Sequence, residues 1–434
     1  MARIFSTSGI HSAGACSDVT KRVVVIGAGV VGLCVGLYCV DRGFDVTIVE
    51  RNGEQRDGCS FGNAGMIVPS HFIPLAAPGA VAQALKWMMN PRSPFYMKPR
   101  PSWDLIDWGL KFWKASNAEH VRRAATLLRD LHVASRACYE DLARDGNDFA
   151  LVDAGTLMLC KTSHALAEEE QMAEYARALG LRADVLGPAE TAALEPGIRL
   201  DIAGSVYFPA DCKIIPEQFV GTLQRRLAER GARFAWNTVA SGYRIENGAI
   251  RAVVSNEHDI EGDEFVLAAG SWSSALARTL GLKIPLQAGK GYSMTMSNPR
   301  VLPKRAAILT EARVAVSPMG RALRVGGTME IAGLDETVNP IRVRAIVEAF
   351  SRYYTDFTPS DFDTIEPWRG LRPCSPDGLP FIGRAQHCSN LIVAAGHAMM
   401  GMSLAPITGK LAAQVIAREK PSVDLSVVSP DRYN

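Results

Sequence analysis

The chain has 434 residues, 47% hydrophobic and 21% charged, and its 47 basic against 45 acidic side chains leave a formal net charge of +2. At roughly 100–200 residues per domain this predicts two or three folding units and excludes a peptide hormone or a small stapled module. The near-neutral balance gives no reason to expect a nucleic-acid partner, and no stretch approaches the ~18 uninterrupted apolar residues of a membrane-spanning helix.

Residues 1–20 are rich in Ser, Ala and Gly, lack the continuous apolar core of a secretory signal, and are expected to form a disordered extension. Nine scattered cysteines without a CxxC pair predict neither a disulfide framework nor a metal site, and suit a cytoplasmic redox environment. Order is expected from Lys21. Val23-Val24-Val25-Ile26 suits a buried parallel strand. Gly27-Ala28-Gly29-Val30-Val31-Gly32 follows it as a GxGxxG, an apolar helix runs on from Leu33 to Val40, and a second strand, Phe44 to Val49, ends on Glu50 and Arg51. This is a complete βαβ dinucleotide fingerprint. Gly27 permits the tight turn, Gly29 lets the backbone approach a pyrophosphate, and Gly32 lets the helix pack on the strand. The phosphates would rest on the helix's N-terminal amides. Glu50 is placed to accept from both ribose hydroxyls, which disfavours NADP and leaves FAD or NAD.

Three later segments favour FAD. Cys59-Ser60-Phe61-Gly62-Asn63-Ala64-Gly65-Met66 is small enough to lie across a flavin ring, although its composition also fits a surface turn. Glu264 to Leu267 reads as a strand that rejoins the nucleotide sheet and breaks into Ala268-Ala269-Gly270-Ser271-Trp272. Gly370 to Gly383 is followed by the strand Asn390 to Ala395, the turn Gly396-His397-Ala398-Met399-Met400-Gly401, and a helix expected over Pro406 to Ala417. There a helix N-terminus could face the flavin edge where negative charge builds up on reduction. Between these segments, residues 119–182 show helical spacing and 286–331 read as alternating strands. Residues 80–114 hold four of the seven tryptophans (Trp87, Trp103, Trp108 and Trp113) among six Lys or Arg residues. That pattern fits a helical hairpin over the substrate entrance or an interfacial anchor giving peripheral contact with a membrane.

Together these segments resemble the D-amino acid oxidase superfamily of flavoproteins, most closely the bacterial D-amino acid dehydrogenases. The resemblance spans nearly the whole chain from Arg22 and includes RVVVIGAGVVG, SFGNAG, Lys290-Gly291-Tyr292-Ser293, Arg324-Val325-Gly326-Gly327, Gly370 to Gly383 and Asp431-Arg432-Tyr433. Gly396 to Lys410 departs from it towards the glycine-oxidase and hydroxyproline-dehydrogenase relatives. The resemblance implies an α/β fold: a Rossmann-like FAD-binding domain, discontinuous in sequence (21–75, part of 145–280, and 365–434), and an α+β substrate domain with a large antiparallel sheet (76–144 and 281–364 with part of 145–205).

Amine oxidation at a flavin needs the substrate Cα–H over N5, an unprotonated amine and a cation for the carboxylate. The expected clamp is Arg372, whose guanidinium matches a carboxylate in a bidentate fork; the alternative is a structural arginine paired with a neighbouring acid such as Asp377. Tyr292 adds a hydroxyl to the same carboxylate or is simply packed. His397 shapes the flavin edge or is a structural histidine. Met399 and Met400 offer a soft apolar wall or core packing, and Lys290 is either a cation near the flavin or a solvated lysine. The expected activity is FAD-dependent dehydrogenation of a D-amino acid, with D-proline or 4-hydroxy-D-proline attractive substrates and quinone or another electron acceptor as partner. The alternatives are a peroxide-forming amine oxidase and a flavin-bearing subunit of a hetero-oligomer.

Overall fold

The computed structural model describes residues 20–434, so the expected N-terminal extension lies outside the described residues except for Thr20. The strand Arg22–Ile26 lies at the centre of a six-stranded sheet. On one side it pairs in parallel with Asp45–Val49 and then Arg233–Ala235; on the other it pairs with Glu264–Leu267, Leu391–Ala395 and the antiparallel edge strand Phe381–Arg384. Its Val23 to Ile26 are at most 3% exposed, as a β-branched run covered on both faces requires.

The helix Val30–Val40 packs behind this sheet and crosses the C-terminal helix Gly401–Ile416 at close range. The crossing depends on Gly409, where a Cβ would stand 2.5 Å from the main chain of Cys34. The C-terminal helix begins at Gly401, five residues before the expected start, and carries Pro406 inside it. A proline there removes the amide that would bond the carbonyl four residues back. That carbonyl belongs to Met402, and the buried hydroxyl of Tyr139 donates to it at 2.6 Å from the long helix Ala118–Arg144. The helix is thus continued through the proline by a side chain from another element.

Above the nucleotide layer stands a nine-stranded, mostly antiparallel sheet. Its path runs Trp368–Cys374, Gln287–Met296, Ala322–Ile331, Val314–Met319, Ala306–Leu309, Thr156–Cys160, Gly204–Phe208 and Asp184–Leu186, with Phe95–Met97 added beside the end of Ala322–Ile331. The strand Trp368–Cys374, expected within the nucleotide unit, is the edge of this sheet instead, because all seven of its residues pair with Gln287–Ser293. One face packs on the helix Pro340–Tyr353 through Tyr292, Met294, Val325, Ile346 and Phe350. The other faces the 58–66 loop.

Tyr139→Phe is expected to leave the Met402 carbonyl buried and unpaired and to cost about 1–3 kcal/mol in denaturant unfolding. In a Pro406→Ala background, where the restored amide serves that carbonyl, the same change is expected to cost clearly less.

Candidate active site

The turn after the first strand is shaped by contacts that exclude side chains. Gly27 has φ +110°, and a Cβ there would stand 2.5 Å from the carbonyl oxygen of Ala268; a Cβ on Gly32 would overlap the carbonyl oxygen of Gly27. At Gly29 the situation differs. The nearest protein atom to a Cβ would be Ser60 Oγ at 3.8 Å, so Gly29 borders open space. That space is a cavity of about 550 Å³, running from Glu50, Arg51 and Asn52 past Gly27, Gly29, Val30, Val31, Ser60 and Asn63 to Ala269, Gly270, Arg372, His397 and Gly401.

At one end Glu50 is 8% exposed, and its carboxylate accepts from the backbone amides of Ala28 (2.9 Å) and Asn52 (3.0 Å). A carboxylate offers about four acceptor positions, so two remain for ribose hydroxyls. The guanidinium of Arg51 lies 3.5 Å above the Trp272 ring, a cation–π contact that walls this end. Ser60 Oγ takes the Val30 amide at 3.1 Å, at the helix N-terminus. An open glycine, a helix N-terminus and a buried acid along one cleft fit a flavin dinucleotide.

The Cys59–Met66 segment is held from above by the large sheet. Arg324 donates to the carbonyls of Phe61 (2.9 Å) and Asn63 (2.8 Å) and pairs with Glu217, while Ser293 Oγ donates to the Gly62 carbonyl at 3.1 Å. Gly62 lies flat under the Trp368 ring, and Gly65, at φ +67°, is backed by the carbonyl of Ile214. Of this segment Cys59, Ser60, Phe61 and Asn63 line the cavity. Gly62, Ala64, Gly65 and Met66 shape the loop from behind; Ala64 and Met66 pack with Val68 and Ala306.

At the other end Arg372 projects from Trp368–Cys374 across the neighbouring strand at Gly291, where any Cβ would collide with its guanidinium. It makes one hydrogen bond, Nη1 to the Thr328 carbonyl at 2.7 Å, and has no carboxylate partner among the described residues. The alternative pairing with Asp377 is excluded. Asp377 is held bidentately by Arg432 (2.7 and 3.1 Å), which also keeps its carboxyl below the usual range despite burial. Thr328 has φ +68°, an unusual conformation for a β-branched residue, of a kind that costs roughly 1–3 kcal/mol and clusters at functional sites.

Two expected site residues stand elsewhere. Tyr292 and Lys290 alternate with Gly291 along their strand and therefore point to the opposite face of the sheet. Tyr292 is 1% exposed and donates to Glu330 at 2.8 Å; Lys290, also 1% exposed, reaches Asp335 at 3.3 Å and the Thr337 carbonyl at 2.7 Å. Neither lines the cavity. His397 does, and its Nε2 is 2.9 Å from Thr408 Oγ1; burial pushes its imidazole down to about 3, so it is neutral at physiological pH. Gly396, at φ +79°, is wedged against Phe381 and forms the turn. The soft wall is Met399 and Met402, because Met400 turns away into the core beside Leu404.

Sequence reasoning did not place Arg56, Asp57, Thr238 to Ser241, Glu336 or Arg369 at the cavity. Trp272 and Cys59 lay inside segments already singled out. Thr238 to Ser241 carry no motif and arrive only because Thr238 N bonds the Glu50 carbonyl at 2.9 Å.

Gly29→Val is expected to leave the unfolding midpoint of the apoprotein almost unchanged but to weaken FAD binding by about tenfold or more, read by flavin fluorescence titration. Gly32→Ala is expected to lower both, because its Cβ meets backbone and not open space.

Comparison with known proteins gives one answer. Residues 22–415 match the DAO family, FAD dependent oxidoreductase. The chain is 32% identical over 422 residues to a D-amino acid dehydrogenase of Bradyrhizobium diazoefficiens, covering 95% of this chain and 99% of that one. It is 33% identical, with the same coverage, to a D-amino acid dehydrogenase of Paramagnetospirillum magneticum. Among solved structures it resembles glycine oxidase from Geobacillus kaustophilus, with a TM-score of 0.76 at 22% identity over 96% of this chain and 100% of that one. It also resembles L-proline dehydrogenase from P. horikoshii, with a TM-score of 0.74 at 18% identity over 95% and 98%. The strand–glycine–helix turn, the acid that follows it and a family match running from the first strand into the last helix agree: this chain belongs to the DAO family of FAD-dependent oxidoreductases.

Proposed function

We propose that this protein is a dehydrogenase of D-amino acids, oxidising a primary amine to an imine that water hydrolyses to a 2-oxo acid and ammonia, and a cyclic secondary amine to a cyclic imine. The observation that carries this reading is Arg372, a cation in the cavity with one backbone hydrogen bond and, among the described residues, no acid to neutralise it. Its remaining N–H donors suit a carboxylate in bidentate geometry. FAD, when bound, supplies a hydride acceptor at N5. Arg372 would hold the substrate carboxylate and so fix the orientation of the substrate's Cα–H and amine in the cavity. His397, neutral and hydrogen-bonded to Thr408, orders the turn before the Gly401–Ile416 helix, whose N-terminal amides favour charge developing nearby. Pro373, Ala398 and Met399 add small or apolar surface to the lining of the cavity that holds Arg372, which suits a compact side chain such as the ring of D-proline or 4-hydroxy-D-proline.

Anaerobic addition of D-amino acids should bleach the flavin, while L-enantiomers should not; loss of colour with neither overturns the reading. In air, peroxide formation at the rate of turnover would identify an oxidase. Arg372→Ala is expected to raise KM on the order of a hundredfold with FAD retained. Gly291→Ala, which displaces the guanidinium, is expected to raise KM in the same direction.

For the electron acceptor the reading extends to a quinone at a lipid surface. Among the described residues no helix is long and apolar enough to cross a membrane, so contact would be peripheral. The helix Ala80–Met88 with its C-cap residue Met89, and the helix Trp103–Ala115, expose Leu85, Met89, Trp103, Ile106, Leu110 and Trp113. Trp108, which the sequence pattern grouped with these, is 3% exposed and donates to the Cys374 carbonyl at 2.9 Å, so it belongs to the core. Of the neighbouring cations, Lys86, Lys98 and Lys114 stand exposed and have no acidic partner among the described residues, whereas Arg92 pairs with Glu348 and Lys111 with Asp107. Sedimentation with anionic liposomes is expected to fall when Trp103 and Trp113 are both changed to Ser; unchanged sedimentation removes the surface from the proposal.

A further inference from the structure

On the face of the large sheet turned away from the cavity, a buried carboxylate gathers three donors that the proposed reaction does not use. Glu330 is 5% exposed; it accepts from Tyr292 Oη at 2.8 Å and lies 3.7 Å from Lys290 Nζ and 3.8 Å from Arg342 Nε. Buried ion pairs of this kind seldom stabilise a fold more than apolar packing would, so their presence calls for a reason other than stability.

The register supplies one. Lys290 is paired with Glu330, but Tyr292 is paired with Gly327, so two steps along one strand face three along the other. The surplus is a β-bulge at Thr328 and Met329, and Thr328 takes φ +68° there. With its peptide turned out of the ladder, the Thr328 carbonyl receives Arg372 Nη1 at 2.7 Å on the cavity side. The Tyr292–Glu330 hydrogen bond ties residues from the two sides of this bulge. Lys290 adds a second tie through Asp335 and the Thr337 carbonyl, and the Asn339 amide closes on Tyr292 Oη at 3.3 Å.

We propose that Glu330, held by Tyr292 and Lys290, is a positioning residue that fixes the Thr328 bulge and through it the aim of Arg372 at the substrate carboxylate. The inference rests on Arg372 being the carboxylate clamp, and the test separates the two. The holoenzyme is titrated with pyrrole-2-carboxylate, followed by perturbation of the flavin spectrum, and KM and kcat are measured with a D-amino acid, for wild type, Arg372→Ala, Tyr292→Phe, Glu330→Gln and Glu330→Ala. Arg372→Ala is expected to abolish carboxylate binding. Tyr292→Phe and Glu330→Ala are expected to weaken it by about tenfold, as loss of a hydrogen bond to a charged group does, with KM raised more than kcat is lowered and FAD retained. Glu330→Gln is expected to recover part of the loss.

Normal carboxylate binding in Tyr292→Phe overturns the positioning role while leaving the clamp intact. Tyr292→Phe removes one oxygen, so it decides the matter even if Glu330→Ala does not fold. Normal binding in Arg372→Ala overturns the clamp and the inference with it.

Discussion

Arg372 reaches the cavity because the strand beside it has no side chain at position 291. Its guanidinium lies directly over Gly291, and on the same sheet face Gly289, Gly326 and Gly370 give way to the side chains of Cys374, Ser293 and Trp368. A sheet face normally buries alternating side chains. Here the glycines leave room on one face for Arg372 and the Phe61–Asn63 loop, and apolar packing is supplied by the opposite face, where Tyr292, Met294 and Val325 meet the Pro340–Tyr353 helix.

That division explains why the two layers must be held together by polar contacts. Arg324, 6% exposed, bridges the large sheet to the Phe61 and Asn63 carbonyls of the nucleotide layer, and Ser293 does the same for Gly62. Each contact satisfies a backbone acceptor in a loop that has no ladder partner of its own. The loop is thereby shaped by a strand more than 200 residues later in the chain. Arg432, near the C-terminus, plays a comparable part: its double bond to Asp377 and its stacking over Phe381 hold the Pro376–Leu379 turn and leave Arg372 free of that acid.

Local features were legible in the sequence because their chemistry is local. The strand, GxGxxG turn and helix of residues 22–40 need only neighbouring residues and a β-branched run, and Glu50 follows at a distance set by one strand. The start of the last helix was misread because Pro406 marks a helix boundary by itself, and only Tyr139, from a helix far away in the chain, supplies the donor that lets the helix pass through it.

What the sequence determined alone is the nucleotide-binding turn, the acid that accompanies it and the presence of an arginine in a turn-rich segment with flavoprotein character. What only the tertiary structure decided is which face each strand residue takes. Pairing of Gly289 with Arg372 puts Arg372 on the face of the odd-numbered residues of Gln287–Met296, and the side-chain period of two sends Lys290 and Tyr292 to the back, where the extra residue at Thr328 brings Glu330 opposite Lys290. Alternation is visible in a sequence, but which half of it faces the cavity depends on partners that the chain meets only on folding.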